Sequence, residues 1–543
     1  MWYKPRPSSR WPVKGCAGGQ HGDVQVRTSL ALAGAAATAV GLAAGHLVAL
    51  LTDRRLSPVT VVGAAAIDGV PRSLKEWAIQ TFGTWDKAVV VIVVIAVTAA
   101  VGAVIGLLGR RRLAPAAAAA VGLGTIPWYL GSRYSGQAHL VCAITVVAGV
   151  AALAHLRSLA LQAAPAPDPI PIVDNTPDEP EPTPANTRLP EALAQCDRRR
   201  FLTRAAVVTG GSGALALAGS LAPEPAPVMT RTIPAAATAL PPLPAGLAGP
   251  GIATLQTPTA DFFRIDIALT VPRVRADTWR LDITGLVDTP YRLSYDELLA
   301  MPMVEHDITL ACVSNEVGGD LIGAARWQGV PVADLLRRAG PRAEADMVLS
   351  SGPDGFCAST PLQVLLDGRT ALVAVAMNGE PLTSVHGFPA RLVTPGLYGF
   401  VGATKWLREL RLTRFDQERA YWTGRGWSAY GPVKIASRID TPTGRKRLPA
   451  GQVVIGGVAW ADHQGISAVE IQIDQGPWQP ASLGPRLGTA YWVQWRHDWD
   501  ATPGEHQLRV RAVDNAGMIQ TEARRPVAPD GATGLHQVSV TVT

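Results

Sequence analysis

Leu310-Ala311-Cys312-Val313-Ser314-Asn315 closes an apolar run that starts at Ile308. Downstream lies His386-Gly387-Phe388-Pro389-Ala390-Arg391-Leu392-Val393-Thr394-Pro395-Gly396, and after it Lys405-Trp406. A thiolate can hold a soft metal ion. Histidine, arginine, lysine and glycine backbone N–H groups suit a phosphate-bearing organic cofactor. Together the two stretches point to a metal–organic redox centre rather than to a hydrolase. A buried cysteine by itself is more often a small hydrophobe, so the reading rests on the combination.

The pattern around these stretches is one of short strands and turns from about residue 255 onward. Trp279-Arg280-Leu281-Asp282-Ile283-Thr284-Gly285 alternates like a strand that ends in a turn. Ser294-Tyr295-Asp296-Glu297-Leu298-Leu299 reads as a capped short helix, and Val332 to Arg338 as another that Gly340-Pro341 stops. Mixed strands and short helices give an α+β domain over 255–429. Residues 430–543 differ. Val453 to Trp460, Val469 to Asp474 and Gln507 to Val513 are strand signals, with turns at Asp474-Gln475-Gly476 and Asp514-Asn515-Ala516-Gly517. Several alternating strands in so short a stretch predict a β-sandwich.

In order and spacing, several stretches of this half resemble the sulfite oxidase family of molybdopterin enzymes. They are Asp261-Phe262-Phe263-Arg264, Cys312-x-x-Asn315, Ala325-Arg326-Trp327-x-Gly329, Met377-Asn378-Gly379-Glu380-Pro381-Leu382, the run from His386 to Gly396, and Lys405-Trp406-Leu407. The resemblance implies a molybdenum–molybdopterin cofactor with Cys312 as the metal ligand. It implies Arg264 in a substrate pocket, and Asn315, Asp354, Ser359, His386, Arg391, Gly396 and Lys405 around the pterin. For 430–543 it implies an immunoglobulin-like domain, of a kind that often makes a homodimer. The reaction implied is oxygen-atom transfer to or from a small substrate. This chain also departs from the family. Ile265-Asp266 stands where the animal enzymes have Asn-His, so a histidine contact to the cofactor is missing. Glu316 and Val317 stand where sulfite oxidases carry two arginines, and Trp427 aligns with their active-site tyrosine, with Tyr430 nearby. Loss of positive charge there disfavours a sulfite dianion and suits a sulfoxide or a differently bound oxyanion.

The first 160 residues are rich in Ala, Val, Leu and Gly. Four segments, about 28–51, 88–109, 113–131 and 138–156, are apolar over the ~20 residues that span a bilayer. The third contains Pro115 and Pro127, which neighbouring helices can accommodate. Residues 161–197, rich in Pro and acidic residues, read as a disordered cytoplasmic linker. Arg198-Arg199-Arg200-Phe201-Leu202 then opens a weaker fifth span over 198–222. It resembles a twin-arginine export signal placed inside the chain; an ordinary positively flanked anchor is the competing reading. Residues 223–254 read as a Pro/Ala-rich tether. Arg110-Arg111-Arg112, Arg157 and the basic N-terminal arm favour an inside N-terminus, five spans and an extracytoplasmic C-terminal half in a cell membrane. Arg54, Arg55, Arg72, Lys75 and Lys87 in the first outer loop argue mildly against it.

The net charge of +6 on 543 residues is modest. No basic tract with interleaved aromatics marks a nucleic-acid surface. The five cysteines form no CxxC pair, which argues against a zinc site. A Cys312–Cys357 disulfide is the bland alternative to metal ligation. Without the haem domain of animal sulfite oxidases, electrons must pass through an unidentified carrier or partner. A haem b between His46 and His139 is a weaker expectation than interfacial histidines without a metal. The competing function is a non-catalytic cell-surface module, which explains the spans and the sandwich but not the series from Arg264 to Lys405.

Overall fold

The computed structural model describes residues 18–53, 56–70, 86–132, 136–162, 202–207 and 232–543, apart from 445–446 and 462, with 74, 81, 210 and 211 isolated between. The triple arginine at 198–200, nearly all of the 161–197 linker and most of the fifth expected span lie outside the described residues. The chain divides into two units, Met1–Glu224 and Pro225–Thr543.

The first unit is helical: α1 (Gly18–Leu51), α2 (Pro58–Gly69), α3 (Asp86–Leu108), α4 (Leu113–Gly131) and α5 (Ala138–Gln162). Among the described residues four stretches are long and apolar enough to cross a membrane: Asp23–Leu51, Val89–Leu108, Leu113–Gly131 and Ala138–Gln162. Each overlaps one of the spans expected above. Small residues let α1 lie close to α3 and α5. A Cβ added at Gly34 would come within 2.0 Å of the Gly102 carbonyl oxygen, and one at Gly41 within 2.6 Å of the Thr145 carbonyl oxygen. Close backbone approach is what holds helices together where lipid removes the hydrophobic drive. Ile92, Val93, Val97 and Val104 of α3 are exposed, which is compatible with a lipid-facing surface.

The second unit begins its regular structure with β1 (Arg280–Gly285), β2 (Tyr291–Ser294), α6 (Tyr295–Leu299), β3 (Val304–Ala311), β4 (Ile322–Pro331), α7 (Val332–Ala339), β5 (Met347–Ser351), β6 (Cys357–Pro361) and α8 (Leu362–Leu366). It continues with β7 (Leu372–Met377), β8 (Glu380–Pro381), β9 (Arg391–Val393), α9 (Gly399–Gly402) and β10 (Glu409–Thr413). One sheet runs β2-β1-β10-β5-β6 and the other β3-β4-β7-β8, with β9 on β7. This is the expected α+β arrangement. The Ser294 hydroxyl accepts from the Glu297 amide while Glu297 bonds back, which starts α6 as a capping box. Gly340, at φ +68, ends α7. Trp279, Leu281, Ile283, Leu336, Val348, Val373 and Leu410 belong to one buried core that draws on both sheets.

Beyond residue 430 come β11 (Ala436–Thr441), β12 (Arg447–Leu448), β13 (Gly451–Trp460), β14 (Ile466–Ile473), β15 (Gln479–Pro480), β16 (Ser482–Leu483), β17 (Val493–Ala501), β18 (Gly504–Asp514) and β19 (His536–Val542). They form two sheets, β11-β13-β17-β16 and β12-β19-β18-β14-β15. Both supply a second core through Ile455, Trp495, Ile471, Leu508, Val510 and Val540. In β18 the buried residues Leu508, Val510 and Ala512 alternate with less buried ones, the period-2 pattern visible in the sequence.

Residues 232–254, read as part of a tether, are hydrogen-bonded along their length. The Pro234 and Pro241 carbonyls accept from Gln328 and Arg326, and the Leu240 amide donates to Glu305. Further on, the Leu247 amide donates to Gln494, the Ala248 carbonyl accepts from Arg496, and the Ala253 amide donates to Asp440. This strap therefore joins the α+β domain to the sandwich. One of its anchors, Arg326, also grips Asp307 with two bonds of 2.9 Å, and the Asp307 side chain is only 5% exposed. Removing one partner of such a pair strands a buried charge. Arg326→Met should cost about 3 kcal/mol, read as a lower urea midpoint for the tryptophan-rich half; Arg326→Lys should lose less.

Candidate functional site

Cys312 follows the last residue of β3. Its turn is closed by backbone bonds from Cys312 N–H to the Leu321 carbonyl (2.9 Å) and from Asn315 N–H to the Cys312 carbonyl (3.0 Å). The Asn315 side-chain oxygen accepts from Leu321 N–H at 2.9 Å. Asn315 is thus a clamp across the turn. The thiol is half-buried and free, and the Ser314 amide points at the sulfur from 3.4 Å. Burial raises its pKa, and the Ser314 amide opposes that rise by stabilising the thiolate. Cys357 is free as well and packs with Met347, Leu349 and Ala420, so the disulfide alternative is not formed.

A second group of predicted residues gathers around Asp266. Its carboxylate takes the Lys405 ammonium at 2.8 Å and Arg264 Nε at 3.1 Å. Both Asp266 and Lys405 are buried, with side chains 4% and 9% exposed. Lys405 also donates to the Val385 carbonyl. Its position is fixed by Trp406, a buried non-glycine residue at φ +51 whose indole N–H donates to the Ser384 carbonyl. A tryptophan in the left-handed region is strained and needs such over-determination. Gly387, at φ +107, is the reason the elements can close together. A Cβ there would meet Arg391 Cβ at 3.1 Å and Lys405 Cα at 3.2 Å.

Arg391 sits in β9 over the face of Trp327, with 5.1 Å from guanidinium carbon to ring centre. It is 5% exposed. Among the described residues its only hydrogen bond runs from Nη1 to the His386 carbonyl, and its buried Nε has no partner. Desolvation pulls its pKa down to about 10. His386 donates through Nε2 to the Thr259 carbonyl at 3.0 Å, and its ring stands edge-on to Phe262. Burial, then the Arg391 charge, push it down to about 4, so the imidazole is neutral at physiological pH. Burial likewise lowers Lys405 to about 8, with Asp266 opposing. Asp354 caps its own turn through the Phe356 amide; burial lifts its carboxyl to about 6, and the Asp266 charge adds to the rise.

The electrostatic couplings join Arg264, Asp266, Asp354, His386, Arg391 and Lys405 in one cluster. Cys312 is placed beside it through shared neighbours. Leu310 pairs with Gly323 in the β3–β4 ladder, a Cβ at Gly323 would strike the Phe262 ring at 2.8 Å, and that ring abuts His386. On its other side Ala311 shares a core with Leu397, Tyr398 and Phe400 of the glycine loop that opens at Gly396, φ +75. Ser359 is buried on β6 with an unpartnered hydroxyl, as is Thr394 at the start of that loop. Asp266 went unrecognised in the sequence, where it counted only as the loss of a histidine. It is the anion that organises two of the cations. The signal available was a lone acidic residue two positions after Arg264.

Comparison with known proteins bears on this arrangement. The model of the oxidoreductase molybdopterin binding domain matches residues 268–422. The uncharacterized oxidoreductase YuiH of Bacillus subtilis is 37% identical over 153 residues, covering 28% of this chain and 74% of that protein. The chain belongs to the sulfite oxidase family of molybdopterin-dependent oxidoreductases. Human mitochondrial sulfite oxidase is 30% identical over 321 residues, 50% of this chain. Only 58% of that enzyme's length is spanned. The sulfane dehydrogenase SoxCD of Paracoccus pantotrophus aligns over 54% of this chain and 86% of its own at 24% identity, with a TM-score of 0.48. The family cofactor is molybdenum–molybdopterin, and the described residues fit its phosphate-bearing end. A buried guanidinium with a spare N–H, an ammonium, a neutral imidazole, two idle hydroxyls and closely approaching glycine backbone are what an anionic, hydrogen-bonding group requires.

These shifts give the cofactor-free protein a signed pH dependence. Between about 4 and 6.5 the unfolded chain binds the His386 proton and the folded chain does not, so stability falls as pH drops through that window. Asp354 acts oppositely: between 3.8 and about 6 the folded state holds the extra proton, and stability falls as pH rises. The difference between parent and His386→Gln isolates the histidine. Thermal melts should show the parent losing ground to the variant from pH 6.5 down to 4; parallel curves would refute the buried neutral imidazole.

Proposed function

We propose that this chain is a membrane-anchored oxidoreductase that transfers an oxygen atom at a Cys312-ligated molybdenum on the extracytoplasmic side. The observation that carries the reading is the buried Arg391, uncompensated by any described carboxylate and flanked by His386 and Lys405. A folded protein tolerates such a group where an anion completes the site. Arg391, Lys405 and His386 would hold the pterin phosphate and ring, Ser359 and the Gly396 loop would donate around them, and Asn315 keeps the Cys312 turn closed. Cys312 would enter as thiolate, giving up its proton on metal binding, with the Ser314 amide stabilising the sulfur charge. When bound, the cofactor supplies two-electron chemistry coupled to oxygen-atom exchange.

Arg264 is the substrate-pocket arginine by family resemblance. Its ion pair with Asp266 reduces the charge it can offer an incoming anion. Exposed Glu316 and half-buried Val317 add no positive charge at the turn. A neutral sulfoxide suits this site better than a sulfite dianion. The sandwich would be the immunoglobulin-like domain, through which the family often dimerises, and an electron carrier outside this chain would complete turnover.

The orientation is supported by the helical unit. Asp23 pairs with Arg27 and with Arg110, and Arg157 donates to the Gly109 carbonyl, so these basic residues gather at one end of the bundle. That is the cytoplasmic end by the positive-inside rule. His46 bonds Ser57 through Nδ1 at 3.0 Å, an ordinary polar contact between helices.

Metal and pterin analysis of protein matured in a molybdopterin-producing host tests the reading. The parent should carry near-stoichiometric molybdenum and pterin. Arg391→Met should lose most of both, and Cys312→Ser should retain pterin with an altered metal spectrum. Sulfoxide reduction with an artificial donor should exceed sulfite oxidation with an artificial acceptor. A correctly folded parent without pterin would sink the proposal.

A further inference from the structure

The turn that carries the Cys312 thiol is gripped at its tip by the sandwich. Gly318 lies in the left-handed region at φ +82, and the His536 ring is packed directly on it. A Cβ at Gly318 would come within 2.2 Å of His536 Cδ2 and 2.3 Å of Nε2. The ring is itself oriented, because Nδ1 accepts from Ile439 N–H at 3.0 Å, which leaves the proton on Nε2. Burial and the neighbouring Arg438 charge lower the pKa of His536 and keep it neutral. One residue further along the turn, the Gly319 carbonyl accepts from Arg438 Nη1 at 2.8 Å. That guanidinium is 13% exposed and balanced by Asp440, whose other oxygen takes the Ala253 amide of the strap. Asn315 and the Cys312–Leu321 backbone bond close the turn from inside its own domain.

We propose that the sandwich acts as a positioning element for the metal ligand, with His536 and Arg438 setting the conformation of the Cys312–Leu321 turn and hence the direction of the Cys312 sulfur. The proposal rests on the reading of Cys312 as ligand. Simple docking of two domains would be met by side chains touching side chains. Here a half-buried cation bonds a backbone carbonyl of the turn, and a ring occupies the space that any side chain at Gly318 would need. The same tip carries Glu316 and Val317, so the grip also fixes the residues that replace the family's arginines. His536 and Arg438 are therefore positioning residues; neither need touch the metal.

Hydrogen exchange of the full-length, cofactor-free chain reads this directly. In Arg438→Met and His536→Ala, amides of Asn315, Gly319 and Leu321 should exchange about tenfold faster, the cost of a lost charged or packed contact. Those of Leu508 and Val510 in β18 should keep their protection. His536→Asn, which restores an acceptor for Ile439, should recover part of the effect, and Arg496→Met on the same domain should show none. Unchanged turn protection in both variants would overturn the proposal, and so would an equal loss in β18. If either variant fails to fold, Gly318→Ala applies the same disturbance from the turn side with the sandwich intact; a fully protected turn in that variant would also overturn it. In metal-loaded protein the paramagnetic molybdenum signal should shift in the same variants while metal content stays. Because exchange is read without cofactor, a protein lacking molybdenum would sink the functional reading and leave this result standing on its own.

Discussion

Holding a guanidinium inside the protein with no described carboxylate beside it is the constraint on which the α+β domain depends. Arg391 is desolvated, its Nε is idle, and its relief in the cofactor-free protein comes from the Trp327 face and one carbonyl. Burying an unpaired charge is among the costliest things a fold can do. The surrounding core, with Trp279, Leu281, Val373, Leu392 and Leu410 all fully enclosed, supplies the stability that offsets it. The neighbouring groups respond to the same field. Burial, and then the Arg391 charge, keep His386 neutral at physiological pH, while Asp266 opposes the burial that lowers Lys405 to about 8. The cluster is thus an electrostatic imbalance confined to one place, and an anion is what would settle it.

Asp266 shows how the imbalance is graded rather than maximal. Placed between Lys405 and Arg264, it neutralises one cation's worth of charge and leaves Arg391 alone. An imidazole at that position would have offered a hydrogen bond but no counter-charge. The aspartate therefore changes the character of the site from evenly basic to one with a fixed ion pair at its edge and a free cation at its centre. At the Cys312 turn Glu316 is exposed, and the Arg438 guanidinium that bonds Gly319 is paired with Asp440.

What could be read from the sequence follows the range of the interactions involved. Capping at Ser294, the stop at Gly340 and the alternation of β18 are local, and each leaves its signature within a few residues. The clustering of His386, Arg391 and Lys405 was legible because the residue types are chemically specific and close in sequence. The strap at 232–254 was not. Its Pro- and Ala-rich composition reads as a tether, while its ordering comes from its own backbone groups meeting Arg326, Gln328, Gln494 and Arg496 from distant strands. Backbone groups carry no sequence signal. The contact of His536 with Gly318 was hidden for the same reason, since a glycine in a turn and a histidine opening a strand are each ordinary alone.

The link between the two halves of the second unit reaches the strand that delivers the thiol. β3 is an edge of its sheet, and an unpaired edge is a liability. Here it is covered from outside its own domain. Thr309 N–H donates to the Ala490 carbonyl and its hydroxyl accepts from Trp492 N–H. The Trp492 indole in turn donates to the Leu255 carbonyl. Ala311, Val313, Tyr398, Val458, Trp460 and Trp492 then form a single buried cluster. A hinge between the domains would have to break that core and uncover β3 three residues before Cys312. The cysteine is consequently held at both approaches, by Thr309 on the strand and by Gly318 and Gly319 on the turn, and each hold originates in the sandwich. The sandwich thus meets the chain on both sides of Cys312, at Thr309 before it and at Gly318 and Gly319 after it.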